Sequence, residues 1–141
     1  MSNINDTLKQ LAEKLKKTGQ AGLKEFSEGV KDAAVEAYEP LVKTSGPDLA
    51  KRYARTTLLQ AELIASETLN DTHRPRDWKQ VESQDASHNV QGAAILRAAR
   101  LAFMANVAGI VLGVFGKAGG QLGEAISGTI GDLIENIKTD D

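Results

Sequence analysis

Glu82, Asp85 and His88 follow one another at intervals of three residues. On a helix that spacing puts two carboxylates and an imidazole on one face. Carboxylate-bridged metal centres in helix bundles use an acid and a His at such an i, i+3 offset. A centre of that kind draws the motif from two helices and adds two further buried carboxylates. The one other histidine, His73, has no Glu at the matching offset. Ser83 and Ser87 stand near His88, but nucleophilic catalysis also needs an orienting acid and oxyanion donors, and no elbow motif surrounds these residues. The group reads as the polar face of a short, solvent-facing helix, with a metal site as a weaker alternative.

Gly116-Lys117 has the look of a phosphate loop, in which Gly-x-x-x-x-Gly-Lys-[Ser/Thr] cradles phosphates on backbone N–H groups. Val111 stands where the first glycine belongs and Ala118 where the hydroxyl belongs. Gly119-Gly120-Gln121-Leu122-Gly123 lacks a glycine of the dinucleotide fingerprint and follows no strand pattern. Both read as turn and close-packing glycines. The absence of cysteine excludes a disulfide framework, a thiolate nucleophile and a Cys-ligated metal. A net charge of −2 argues against nucleic acid, whose binding needs a cationic surface. The chain is therefore expected to be no enzyme and to carry no cofactor. Its first residues lack the basic-then-apolar order of a secretory signal, so the expected compartment is the cytoplasm, with membrane association as an alternative.

Arg97 and Arg100 share a helical face and could grip an anionic ligand or a phospholipid head group. The plainer account is that they cap an acidic neighbour such as Glu62 or Glu67. Phe103, Phe115 and Lys117 complete the set that would meet a membrane or an anionic ligand. Trp78, beside Lys79 and after Arg74 and Arg76, reads as an interfacial anchor or, more simply, a core plug. Charge is uneven: the middle is basic, whereas after Gly119 the acids Glu124, Asp132, Glu135, Asp140 and Asp141 face one base, Lys138. Such asymmetry can orient a chain against a partner or a copy of itself.

Helices must position these residues. Ala and Leu dominate the apolar material and aromatics are only 4%, a composition that disfavours a sheet core. Ile4, Leu8, Leu11 and Leu15, then Phe26, Val30, Ala33, Ala37 and Leu41, keep one stripe at steps of three and four. The stripe keeps phase across Gly19 and Gly22, so the pattern predicts one long helix ending near Pro40, with the two glycines as weak points where it could kink. Ser45-Gly46-Pro47-Asp48 starts a second helix, since Pro suits the first helical position and Asp complements the dipole. Its face carries Ala50, Tyr53, Ala54, Thr57, Leu58, Ala61, Ile64, Ala65 and Leu69, and it should stop near Asn70. Residues 71–89 read as a polar connector with a short helix. Residues 90–141 form an apolar, glycine-rich helical hairpin that turns at Gly119-Gly120. The expected class is all-α, an up-and-down bundle of four to five helices in which residues 1–70 are an amphipathic hairpin, all within one domain of ordinary size. Only residues 109–115 compete as a strand.

Gly109 and Gly113, Gly116 and Gly120, and Gly119 and Gly123 each stand four apart, so two backbones can approach closely on that face. The spacing resembles the small-xxx-small pattern of membrane helices and the glycine zippers. In a general way the chain also resembles small amphipathic helical proteins such as phasins and accessory subunits. Three uses of the apolar helix follow. Residues 101–116 carry no internal charge and would span roughly 24 Å, short of the bilayer's hydrocarbon core of about 30 Å, with Asn106 inside the run. The helix could instead be the buried centre of a soluble bundle. In the leading expectation it pairs with another subunit, so that a homo-oligomer or larger complex forms through Gly109, Gly113, Gly116, Gly120 and Gly123.

Overall fold

Asn3 opens the first helix, its side-chain Oδ1 accepting from the Asn5 N–H at 3.0 Å. In the computed structural model, which describes residues 3–43, 47–69 and 90–115, α1 spans Ile4–Thr18 and α2 Leu23–Tyr38. Asp6 in the first turn and Lys16 and Lys17 in the last complement the α1 dipole. Between the helices the chain makes one 3-10 turn, Gly19–Gly22. Gly19 takes φ +62° and ψ −140°, a region closed to side chains by contact between Cβ and the backbone. The long predicted helix is thus broken and bent sharply. The bend folds α2 back on α1 until Leu11 presses on Gly29, leaving no room for a Cβ there. Lys14 and Glu25 pair across the fold at 2.5 Å, both exposed.

A second 3-10 turn, Glu39–Val42, shifts the phase of the apolar stripe. Tyr38 and Val42 enter the core, whereas Leu41, expected inside, is 48% exposed. Helix α3, Pro47–Thr68, returns along α2, with Lys31, Asp32 and Val35 beside Lys51 and Arg55, and Leu23 and Ser27 beside Leu58 and Glu62. The expected face of α3 is buried at Ala50, Tyr53, Ala54, Thr57, Ala61, Ile64 and Ala65. Burial extends beyond that stripe to Thr56, Leu59, Gln60 and Ser66, because α3 is packed on more than one side.

Helix α4, Val90–Phe115, includes residues 109–115, so the strand alternative is set aside. Asn106 Nδ2 donates to Asn5 Oδ1 at 2.6 Å, and further along both helices Lys16 Nζ donates to the Val114 carbonyl at 3.2 Å. Helices α4 and α1 therefore run in the same direction. The fold is all-α, a bent first helix pair with α3 and α4 packed as a bundle. The predicted short helix at residues 78–88 and the helix after the Gly119-Gly120 turn lie outside the described residues.

Candidate functional site

Helix α4 is apolar around its whole circumference, so its sequence alone chooses no inner side. Contact with the other helices makes the choice. Ala93, Leu96, Arg100, Phe103, Met104, Val107 and Val111 are turned into the bundle and buried. On the opposite side Ala94, Ala98, Ala102, Ala105, Gly109 and Gly113 are exposed. Their steps of four, four, three, four and four make a continuous stripe of the smallest side chains along the helix. Ile95, 49% exposed, stands beside its start. A Cβ built on Gly109 or Gly113 would meet nothing within 4 Å, so the described packing does not require glycine at either place.

Between this helix and α1 lies an open groove of about 1000 Å³. Ile110, Gly113 and Val114 form its apolar wall, and Lys9, Glu13, Lys16 and Lys17 its charged one. Asn5 and Asn106 close one end with their side-chain hydrogen bond, and Lys16 marks the other.

Two residues expected to meet a membrane or an anionic ligand are placed differently. Arg100 is fully buried and Phe103 nearly so. Both belong to the inner side of α4, a side that an all-round apolar sequence could not single out. The Phe103 ring meets Tyr38 edge-on, with centroids 5.8 Å apart. The Tyr38 hydroxyl lies 2.9 Å from Thr57 Oγ1, which is itself 3.2 Å from the Tyr53 carbonyl. A threonine hydroxyl has one proton to give, so Thr57 donates to Tyr53 and Tyr38 donates to Thr57. Burial raises the Tyr38 pKa well above the usual phenol range, against the opposing effects of the Thr57 hydrogen bond and the Arg100 charge. Gln60, on the same helix as Thr57, is completely buried, and neither amide atom finds a hydrogen-bond partner among the described residues.

Arg97 and Phe115 are partly buried on the flanks of α4. Gly116, Lys117, Gly120 and Gly123 lie outside the described residues, as do Trp78, Glu82, Asp85 and His88. Among the described residues no three His, Asp or Glu side chains gather where they could hold a metal ion. Sequence reasoning missed the alanine half of the stripe and the Tyr38–Thr57–Tyr53 chain. The four-residue alanine spacing from Ala94 was a readable signal for the first; the second joins separate elements and had none.

The stripe, the groove and the buried polar chain are what the chain offers for comparison with known proteins. No known protein family, characterised protein or solved structure matches it significantly. The functional reading therefore rests on the chain's own residues.

Proposed function

We propose that this chain is a non-enzymatic helical interaction protein that assembles with copies of itself through the outer face of α4. The observation that carries the reading is the exposed stripe from Ala94 to Gly113. Small residues at four-residue spacing let a second helix approach until backbones touch, and close approach multiplies dispersion contacts along the whole length. A two-fold axis would set the stripe against its own copy, the commonest way for one chain to form a dimer. Ile95 would then fill a hollow left by the facing alanines. The same face would serve for docking onto a larger complex.

Measuring the solution mass tests this directly. A species at a multiple of 15.1 kDa, breaking down on dilution, is expected. A monomer throughout the micromolar range removes the proposal.

A second reading has its own observation. The stretch Gly92–Phe115 is long and apolar enough to cross a membrane, and only 28% of its most apolar window is buried. A core helix of a soluble bundle would be covered far more fully. In this reading α4 docks on or inserts into lipid, and the amphipathic α1 lies at the surface. Flotation with liposomes separates the two: protein that stays at the bottom of the gradient, whatever the lipid composition, leaves self-association standing.

A further inference from the structure

The outer face of α1 carries a row of alternating charge. Asp6, Lys9, Glu13 and Lys16 follow one another at steps of three, four and three, with Lys17 beside the last, so all five share one side of the helix. All are exposed. Lys14 lies on another side and pairs with Glu25 of α2, and among the described residues no ion pair engages Asp6, Lys9, Glu13 or Lys17. Reversed end to end, the row sets acid against base: Asp6 answers Lys16 and Lys17, and Lys9 answers Glu13.

We infer that this row is an interface between two copies of the chain, set antiparallel across a two-fold axis, and that it fixes the orientation in which the α4 stripes meet. The inference rests on the self-association proposed above and deepens it. Helix α4 supplies the close approach, and α1 decides which way round the copies sit.

Three observations carry it. The first is complementarity. With the axis at the level of Leu11, Asp6 faces the partner's Lys16 and the partner's Lys17, Lys9 faces the partner's Glu13, and symmetry repeats each pair. A parallel pairing of the same row sets every charge against its own kind. A slip of one turn brings Glu13 onto the partner's Glu13, or Lys9 onto the partner's Lys9. Exposed ion pairs add little affinity, whereas like charges held together are costly, so the row acts on orientation and register.

The second is position. Helices α1 and α4 run side by side in the same direction. Gly113 belongs both to the α4 stripe and to the wall of the groove whose opposite wall holds Lys9, Glu13, Lys16 and Lys17. Row and stripe therefore open on one side of the bundle, and a two-fold axis lying across both helices brings each onto its own copy.

The third is level. Asn5 is bonded to Asn106, and Lys16 to the Val114 carbonyl. Between those two points, Leu11 lies level with the part of α4 between Gly109 and Gly113. The axis chosen by the charges on α1 thus passes where α4 is barest, the place at which two crossing helices come closest.

Two charge variants of the full-length chain test the inference by sedimentation velocity. Asp6→Lys with Glu13→Lys makes the row wholly basic, and Lys9→Glu with Lys16→Glu and Lys17→Glu makes it wholly acidic. Each alone should associate at least roughly ten-fold more weakly than the parent, and an equal mixture should regain the parent's association. Recovery on mixing also shows that both variants keep their fold. Variants that associate as tightly as the parent, or a mixture that stays dissociated, would overturn the inference. Orientation is read by cross-linking, and the chain has no cysteine of its own to interfere. With a short bis-maleimide, Asp6→Cys chains should link to Lys16→Cys chains roughly ten-fold faster than chains of either kind link among themselves, because identical positions are about 15 Å apart along the antiparallel pair. Faster links between identical positions, equal rates or no links would each count against the antiparallel pairing. A monomeric parent removes the α4 interface and this one together, whereas charge variants that associate like the parent remove this one alone.

Discussion

Replacing Gly109 by Ala acts in opposite directions on the single chain and on its assembly. In the bundle a Cβ at Gly109 meets nothing within 4 Å. The substitution therefore adds helix propensity without a clash, and should stabilise the isolated chain by about 1 kcal/mol. Gly113→Ala should add a similar amount, for a total of about 2 kcal/mol in the double variant. At a close-packed helix pair the same methyl group is forced between touching backbones. Overpacking costs about 1–3 kcal/mol at each appearance, and two-fold symmetry presents each substitution twice. The Gly109→Ala dimer should thus lose about 2–6 kcal/mol, a weakening of between roughly 30-fold and 10⁴-fold. Guanidinium unfolding of the dilute chain reads the first effect, and sedimentation velocity across a concentration series reads the second. A variant that is more stable as a single chain yet associates as tightly as the parent would refute the close-packed interface. A variant less stable as a single chain would contradict the open surroundings of Gly109.

Three further outcomes follow from the described packing. Gln60→Leu removes a buried amide with no partner among the described residues and should raise the unfolding free energy by about 1–3 kcal/mol; a loss in chemical denaturation would mean that the amide is satisfied. Gly19→Ala should cost about 1–3 kcal/mol in the same assay, because its φ of +62° excludes a Cβ although nothing else crowds the site, and an unchanged midpoint would show that the bend lies elsewhere. Tyr38→Phe should cost about 0.5–1.5 kcal/mol near neutral pH, as Thr57 keeps its bond to the Tyr53 carbonyl. The raised Tyr38 pKa means that the unfolded chain ionises first as pH climbs past the ordinary 10.0. Stability contributed by the neutral hydroxyl is thus complete below that value and declines above it; pH-dependent denaturation should show a smaller alkaline decline in the Phe variant, and an identical decline would place the titration on another group.

Much of this architecture was legible because helix periodicity is a local property. The spacing of Leu8, Leu15, Phe26 and Val30 needs only 3.6 residues per turn to define an inner face, and each of these residues is buried. Pro47 and Asp48 marked a helix start by backbone chemistry alone. The kink at Gly19 was visible as a weakness in the helix, since glycine is the residue that a sharp reversal tolerates. Its angle was not, because the depth of the fold is set by Leu11 meeting Gly29, residues far apart in sequence.

Helix α4 marks the boundary between what the chain and the fold decide. The sequence by itself made it long, apolar and glycine-spaced, with charge kept out of residues 101–116. Only the tertiary structure assigned its sides: Arg100 and Phe103 inward against Tyr38, Ala94 to Gly113 outward. The physical reason is that an amphipathic helix carries its orientation in its own pattern, whereas a helix apolar on every side is oriented by whichever neighbours compete best for its surface. For the same reason the parallel course of α1 and α4, and the groove that results, depended on contacts between residues a hundred positions apart, such as Asn5 and Asn106.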